Sequence, residues 1–388
     1  MSVFDEVIDR RGTHCIKWDA PMFKNPDAVR MTIADMDWRS PQAVVDAVCE
    51  AARFGIYGYP LPSKPELTDT VLAWLKERND WDVKPEQLGF AVRVVDLLAI
   101  AVCSMTKEGE AVITQTPLYD HFKSAIENAH RKLVSNRLVR DESGYHIDFD
   151  AFEREIVEND VKLYILCNPH NPCGRVWTPE ELRKLVEICK AHNVVIVADE
   201  IHSDLVMPGF TYTPTAKIAA ELGYDRVMTA KSPSKTFNLA GLQLGYYIAS
   251  SPEIAEAIEG EKKYRSYPDL PNNFSTVATI AAYTQGAAWL DEVRAYIQQN
   301  YFTLRDWLAE HAPQASVAEL QGTYLAWLDV SCLGITEDEL KARIDEVGLG
   351  VSTTSGFGIT DGLYLRMNIA CPRATLNRAL EALGRLLA

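Results

Sequence analysis

Four short stretches of this 388-residue chain carry side chains able to act together on a small molecule. The first is Asp199-Glu200-Ile201-His202, directly after the apolar run Val194–Ala198. A carboxylate at the end of a buried strand needs a cationic or hydrogen-bonding partner, because an unpaired buried charge is costly. A helix cap or an internal ion pair would meet that need as well as a ligand would. The second runs from Thr229 to Asn238 and crowds hydroxyls around two lysines, Lys231 and Lys235. A lysine held after a strand can be desolvated and attack a carbonyl as an amine, and Ser232 and Ser234 could cradle an anion beside it. A lysine in a solvated turn would use the same residues. The third, Cys167 to Arg175, has two Asn-Pro pairs and a glycine that make a rigid turn, with Asn168 at the same edge as Asp199. The fourth is Arg366 in the alternating run Tyr364–Asn368, offering bidentate geometry to a carboxylate or to a surface acid.

The elements that must hold these groups are short buried strands and amphipathic helices in alternation. Ala111–Thr114, Leu163–Cys167, Val194–Ala198, Val227–Ala230 and Tyr246–Ala249 read as strands. Thr178-Pro179-Glu180-Glu181 is a capping box with proline at the first helical position. After it, Leu182, Leu185, Val186 and Cys189 define one apolar helix face. Strands alternating with such helices imply an α/β fold with a mainly parallel sheet covered on both sides, and such sheets bind ligands at the C-terminal ends of their strands. Residues 287–311 read as one long helix. Beyond it, strands are expected at Tyr324–Trp327 and Tyr364–Asn368, with helices at Glu337–Glu346 and Arg373–Leu387. The expected division is an N-terminal segment, 1–44, joining a small C-terminal domain, 286–388, with a large domain at 45–285 between them.

Acidic residues outnumber basic ones by 54 to 39, a net charge near −15. Such a surface repels phosphate backbones and anionic lipid, so neither nucleic acid nor membrane is an expected partner. No apolar run reaches the ~18 residues of a membrane span. The opening MSVFDEVIDRRGTHC has charges where a signal peptide has its apolar core. The eight cysteines are dispersed, without metal-ligand spacing, so no metal is expected and a cytoplasmic setting is. P-loop, HExxH, GxSxG and GxGxxG motifs are absent.

Taken in order, Asn168-Pro169-x-Asn171-Pro172-x-Gly174, Asp199-Glu200-Ile201-His202 and Ser232-x-Ser234-Lys235-Thr236-Phe237-Asn238-Leu239-Ala240-Gly241-Leu242 resemble the fold-type-I enzymes of pyridoxal 5′-phosphate. Within them the chain is similar to the cystalysin-like C–S β-lyases of the MalY/PatB type. Arg10-Arg11-Gly12-Thr13, Lys17-Trp18-Asp19, Ala34-Asp35-Met36-Asp37, Tyr57-Gly58-Tyr59 and Arg366-Met367-Asn368-Ile369-Ala370-Cys371-Pro372 support the subgroup. The resemblance spans nearly the whole chain. It implies a large domain built on a mainly parallel seven-stranded sheet and a smaller α/β domain.

The resemblance also implies roles. Lys235 would form the Schiff base with the cofactor and move the substrate α-proton. Asp199 would pair with the pyridinium nitrogen and keep the ring an electron acceptor. Tyr119 would stack on the ring, Asn168 would bond its 3′-oxygen and face the substrate, and His202 would lie beside it. Ser232 would hold the phosphate, with Arg93 and Val94 at the same cup and Tyr59 reaching in from the other subunit of a homodimer. Arg366 would clamp the substrate carboxylate. Two positions set this chain apart. Gln243 stands eight residues after Lys235, where many aminotransferases carry a phosphate-binding arginine, and this favours a lyase. Arg93 stands where the family has a small glycine segment, so it either bonds the phosphate or points elsewhere. The expected activity is cleavage of cystathionine or another S-substituted cysteine to a thiol, pyruvate and ammonia. An aminotransferase on the same scaffold and a cofactor-bound protein with a regulatory binding role are the alternatives.

Overall fold

The computed structural model describes residues 2–20, 25–61, 64–142, 144–265 and 270–388. Its central sheet has seven strands: β1 (Leu88–Ala91), β2 (Ala111–Thr116), β3 (Lys132–Arg137), β4 (Val161–Cys167), β5 (Val195–Asp199), β6 (Val227–Lys231) and β7 (Gly245–Ala249). Their spatial order is β1-β7-β6-β5-β4-β2-β3. Only β7 runs against its neighbours; all other pairings are parallel, as the alternating pattern implies.

Strand alternation sorts the core into two layers. Tyr164, Leu166, Ile196 and Ala198 face one hydrophobic cluster, which also takes Leu182, Leu185, Val186 and Cys189 of the helix Pro179–Ala191. Leu163, Ile165, Val195 and Val197 face the other, with Leu97, Leu98 and Ala101 of the helix Val94–Met105. The start of Pro179–Ala191 follows its capping signal: Glu181 N donates to Thr178 Oγ1 at 3.2 Å, and Thr178 N donates to Glu181 Oε2 at 2.8 Å. Two strands that no apolar run announces, β1 and β3, lie at the sheet's edges, where one side faces solvent and the sequence is mixed.

A second, antiparallel sheet consists of β8 (Ser316–Val317), β9 (Leu325–Asp329), β10 (Ser352–Thr353) and β11 (Tyr364–Asn368), in the order β8-β9-β11-β10. The helices Ala287–His311, Glu337–Val347 and Arg373–Leu387 accompany it at the positions their periodicity predicts. Val29–Arg30 pairs in parallel with Leu349–Gly350 in a separate two-stranded sheet just before β10, tying the start of the chain to this part of the fold. Among the described residues no helix is long and apolar enough to cross a membrane.

Candidate active site

β4, β5 and β6 end side by side, with Cys167 paired to Asp199 and Asp199 to Ala230. Above these ends opens a cavity of about 380 Å³, lined by Asp199, His202, Ser232, Lys235, Arg366 and the helix start Val94-Val95, among others. Its volume suits a small cofactor and substrate.

Lys235 sits in the short helix Pro233–Thr236 just beyond β6. Its Nζ donates to the carbonyl of Ala34 at 2.7 Å. Burial pushes its pKa down to about 8; the Asp35 and Asp199 charges oppose that shift, and Arg366 adds to it. Asp199 is buried, and burial pushes its pKa up to about 7. One of its oxygens accepts from Ile201 N at 3.1 Å. Behind these groups, His202 is held neutral, its pKa lowered to about 3 by burial and by the nearby Lys235 and Arg366 charges. Its Nδ1 is buried and has no partner among the described residues.

At the opposite end of the cavity Ser232 Oγ accepts from Ser234 N at 3.0 Å and donates to Leu244 O at 2.6 Å. Beside it the helix Val94–Met105 begins, with its first residues Val94 and Val95 lining the cavity, an arrangement suited to an anion. Gly245 permits this approach: a Cβ there would stand 3.0 Å from Arg93 C and 3.1 Å from Val94 N. The Arg93 side chain turns outward, donating to Asp96 from Nε at 2.8 Å and from Nη2 at 2.9 Å.

Arg366, on the central strand β11, is buried, and burial lowers its pKa. Its Nη1 donates to Asn171 Oδ1 at 3.1 Å, and its guanidinium lies 5.0 Å from the Phe357 ring centroid. Tyr119 lines the same cavity, its ring stacked on His121 at 4.7 Å. Asn168 does not line it. Its Oδ1 accepts from Trp177 N at 3.2 Å and its Nδ2 donates to Thr213 O at 3.4 Å, so both ends are spent on holding the turn. The asparagine at the cavity is Asn171, three residues on in the same motif. Tyr59 is fully exposed and away from the cavity of its own chain.

The segment 33–38 closes the remaining side, and little in the sequence marks it beyond the Ala-Asp-Met-Asp motif. Ile33 has φ of +55°, a strained setting for a β-branched residue. Asn368 Nδ2 donates to Ile33 O at 2.7 Å and to Asp35 O at 2.6 Å. Asn238 Nδ2 donates to Met36 O at 3.0 Å and to Trp38 O at 2.9 Å. Tyr324 Oη donates to Ala34 O at 2.9 Å, and Arg10 and Lys17 pair with Asp35 and Asp37.

Residues 26–383 match the family model described as aminotransferase class I and II. The chain belongs to that family. Among its relatives, the cystathionine beta-lyase PatB of Bacillus subtilis is 36% identical over 381 residues, covering 97% of this chain and 98% of PatB. Protein MalY of Escherichia coli is 30% identical over 383 residues, covering 98% and 97%. Among solved structures, the PLP-bound C–S lyase from Staphylococcus hominis superposes with a TM-score of 0.93 at 32% identity, covering 99% of this chain and 98% of that one. Cystalysin from Treponema denticola, which contains pyridoxal 5′-phosphate, gives 0.93 at 30% identity, with the same coverage.

For a class I and II aminotransferase relative the group to test against the cavity is pyridoxal 5′-phosphate, and the donor set fits it. A buried amine of depressed basicity suits an aldehyde, and a buried carboxyl with a raised pKa suits a cationic ring nitrogen. The helix start with Ser232 suits a phosphate.

Proposed function

We propose that the chain is a pyridoxal-phosphate-dependent C–S β-lyase that cleaves cystathionine or another S-substituted cysteine to a thiol, pyruvate and ammonia. The observation that carries this reading is the convergence of half-buried Lys235 with buried Asp199 and Arg366 on one cavity at the strand ends. The C–S lyases among its relatives support it, as does Gln243 in place of an arginine, outside the cavity lining.

Pyridoxal phosphate, when bound, supplies an aldehyde that captures the substrate amine and a ring that accepts the electron pair left at Cα. Asp199 and Asn171 would hold the ring's polar edge, Tyr119 its face, and Ser232 with the Val94 helix start its phosphate. Arg366 takes the α-carboxylate and so orients the Cα–H bond for cleavage. Lys235, with a pKa of about 8, is suited to take the Cα proton and hold it near neutral pH. Loss of the thiolate from Cβ and addition of water balance the reaction without any redox change, so no second keto acid is consumed. His202, uncharged and buried, adds no competing cation beside Lys235.

A homodimer would bring Tyr59 to the partner's phosphate cup. Its exposure among Phe54, Ile56, Tyr57 and Leu61 supports an apolar contact there. A cytoplasmic setting agrees with eight free cysteines. The division at residues 44 and 285 is kept as a working proposal, supported by the pairing of Val29–Arg30 with Leu349–Gly350.

The test is incubation of purified protein with cystathionine, cystine and an aromatic cysteine S-conjugate, measuring pyruvate and thiol. Equal amounts of both are expected. No pyruvate, with keto acid formed only when a second keto acid is added, would replace the lyase with an aminotransferase.

A further inference from the structure

Behind the cavity wall lies a second set of polar groups, each next in sequence to a group of the site. Glu200 follows Asp199, Lys231 precedes Ser232, and Thr236 follows Lys235; all three are buried. Glu200 Oε1 accepts from Thr215 N at 2.9 Å and from Thr215 Oγ1 at 2.7 Å, and its Oε2 accepts from the Tyr212 hydroxyl. The Lys231 ammonium stands 4.9 Å from the centroid of that same Tyr212 ring and donates to Asn79 Oδ1 at 3.2 Å. Thr236 Oγ1 donates to Asp204 Oδ2 at 2.9 Å.

The charges in this layer divide unevenly. Asp204 has the Arg78 and Arg294 guanidiniums as well as Lys231 within electrostatic reach. Glu200 has Lys231. An ionised Glu200 also bears on its neighbour Asp199 and pushes that carboxyl toward its neutral form. A buried carboxylate that loses its cation is strongly unfavourable, and two adjacent uncompensated ones are worse.

We propose that Lys231 is a positioning residue whose buried ammonium offsets the charge of Glu200, so that Asp199 can stay ionised against the ring nitrogen of the cofactor. Lys231 therefore shapes the cofactor site without touching it: it ends β6 and is absent from the cavity lining. The inference rests on the cofactor reading given above.

The test compares cofactor-loaded full-length wild type, Lys231→Met and Lys231→Met/Glu200→Gln. Lys231→Met is expected to raise the Kd for pyridoxal phosphate at least tenfold and to lower kcat at least tenfold. Its KM should stay within threefold, because Arg366 is untouched. Removing the orphaned charge in the double variant should bring Kd and kcat back to within threefold of wild type. A purely packing role for Lys231 predicts no such recovery. Should Lys231→Met fail to fold, the double variant decides alone: folded with near-wild-type Kd supports the proposal, and weak binding overturns it. Lys231→Met within twofold of wild type in Kd and kcat also overturns it. A wild-type chain that takes up no pyridoxal phosphate would remove the proposed function itself, a result distinct from either.

Discussion

Lys235 Nζ donates to the carbonyl oxygen of Ala34 at 2.7 Å, across 201 positions of sequence. A carbonyl steadies an amine in either protonation state, whereas a carboxylate in its place would hold it charged. With burial lowering the pKa from 10.5 to about 8, roughly a tenth of the amine is neutral at pH 7, against below a thousandth for an ordinary lysine. Capture of pyridoxal phosphate by the cofactor-free chain should therefore speed up about tenfold per pH unit until about pH 8 and then level off. Borohydride trapping and peptide mass analysis should find the adduct on Lys235. A label on Lys231, or a rate still climbing past pH 9.5, contradicts this.

Asp199→Asn should separate stability from activity. The folded pKa of about 7 lies above the ordinary 3.8, so the stability Asp199 lends is complete below pH 3.8 and lost as pH rises through 7. In the cofactor-free chain at pH 8 the buried charge costs on the order of 4 kcal/mol at most. The variant should then melt higher than wild type at pH 8, with a smaller gain at pH 5, while kcat falls at least a hundredfold. Unchanged turnover would return Asp199 to a structural role.

Asn168 and Asn171 should fail in different ways. Asn168→Ala strands the buried Trp177 N–H and Thr213 carbonyl, a loss of about 1–3 kcal/mol in urea unfolding. Its kcat/KM should stay within threefold. Asn171→Ala removes the acceptor that orients Arg366 and should raise KM about tenfold with little change in stability. The reverse pattern would put the cofactor-facing asparagine back at 168.

Sharing of the site between subunits can be read from mixed dimers. Lys235→Ala and Tyr59→Ala chains, each impaired alone at low cofactor concentration, are dissociated, mixed and reassociated. One site of each hybrid then combines an intact lysine with an intact Tyr59 from the partner, so activity should rise above both parents. Confirmed exchange without recovery would mean that Tyr59 serves no site in trans.

Much of this arrangement was legible in the chain because its signals are local. The strands under Asp199, Lys235 and Asn168 are apolar runs buried on both faces, and the capping box marks its helix unaided. β1 and β3 lack such a run because edge strands need only one apolar side; β3 alternates buried Val134 and Asn136 with exposed Ser135 and Arg137. On geometry, Asn171 rather than Asn168 faces the cavity. Both asparagines share one turn, and only the fold decides which amide faces the cavity. Ala34 was hidden more deeply, since its role lies in a backbone oxygen that no side chain advertises.

The clamp on the carbonyls either side of Ala34 comes late in the chain. Asn368 and Arg366 ride on β11, a central strand of the second sheet, and Asn368 reaches back to Ile33 across 335 positions of sequence. A chain emerging from the ribosome thus carries Lys235 long before it owns Arg366 or the tie that steadies the segment around Ala34. A chain cut short of β11 lacks both, so Arg366 and the tie on the 33–35 segment arrive together, on one strand.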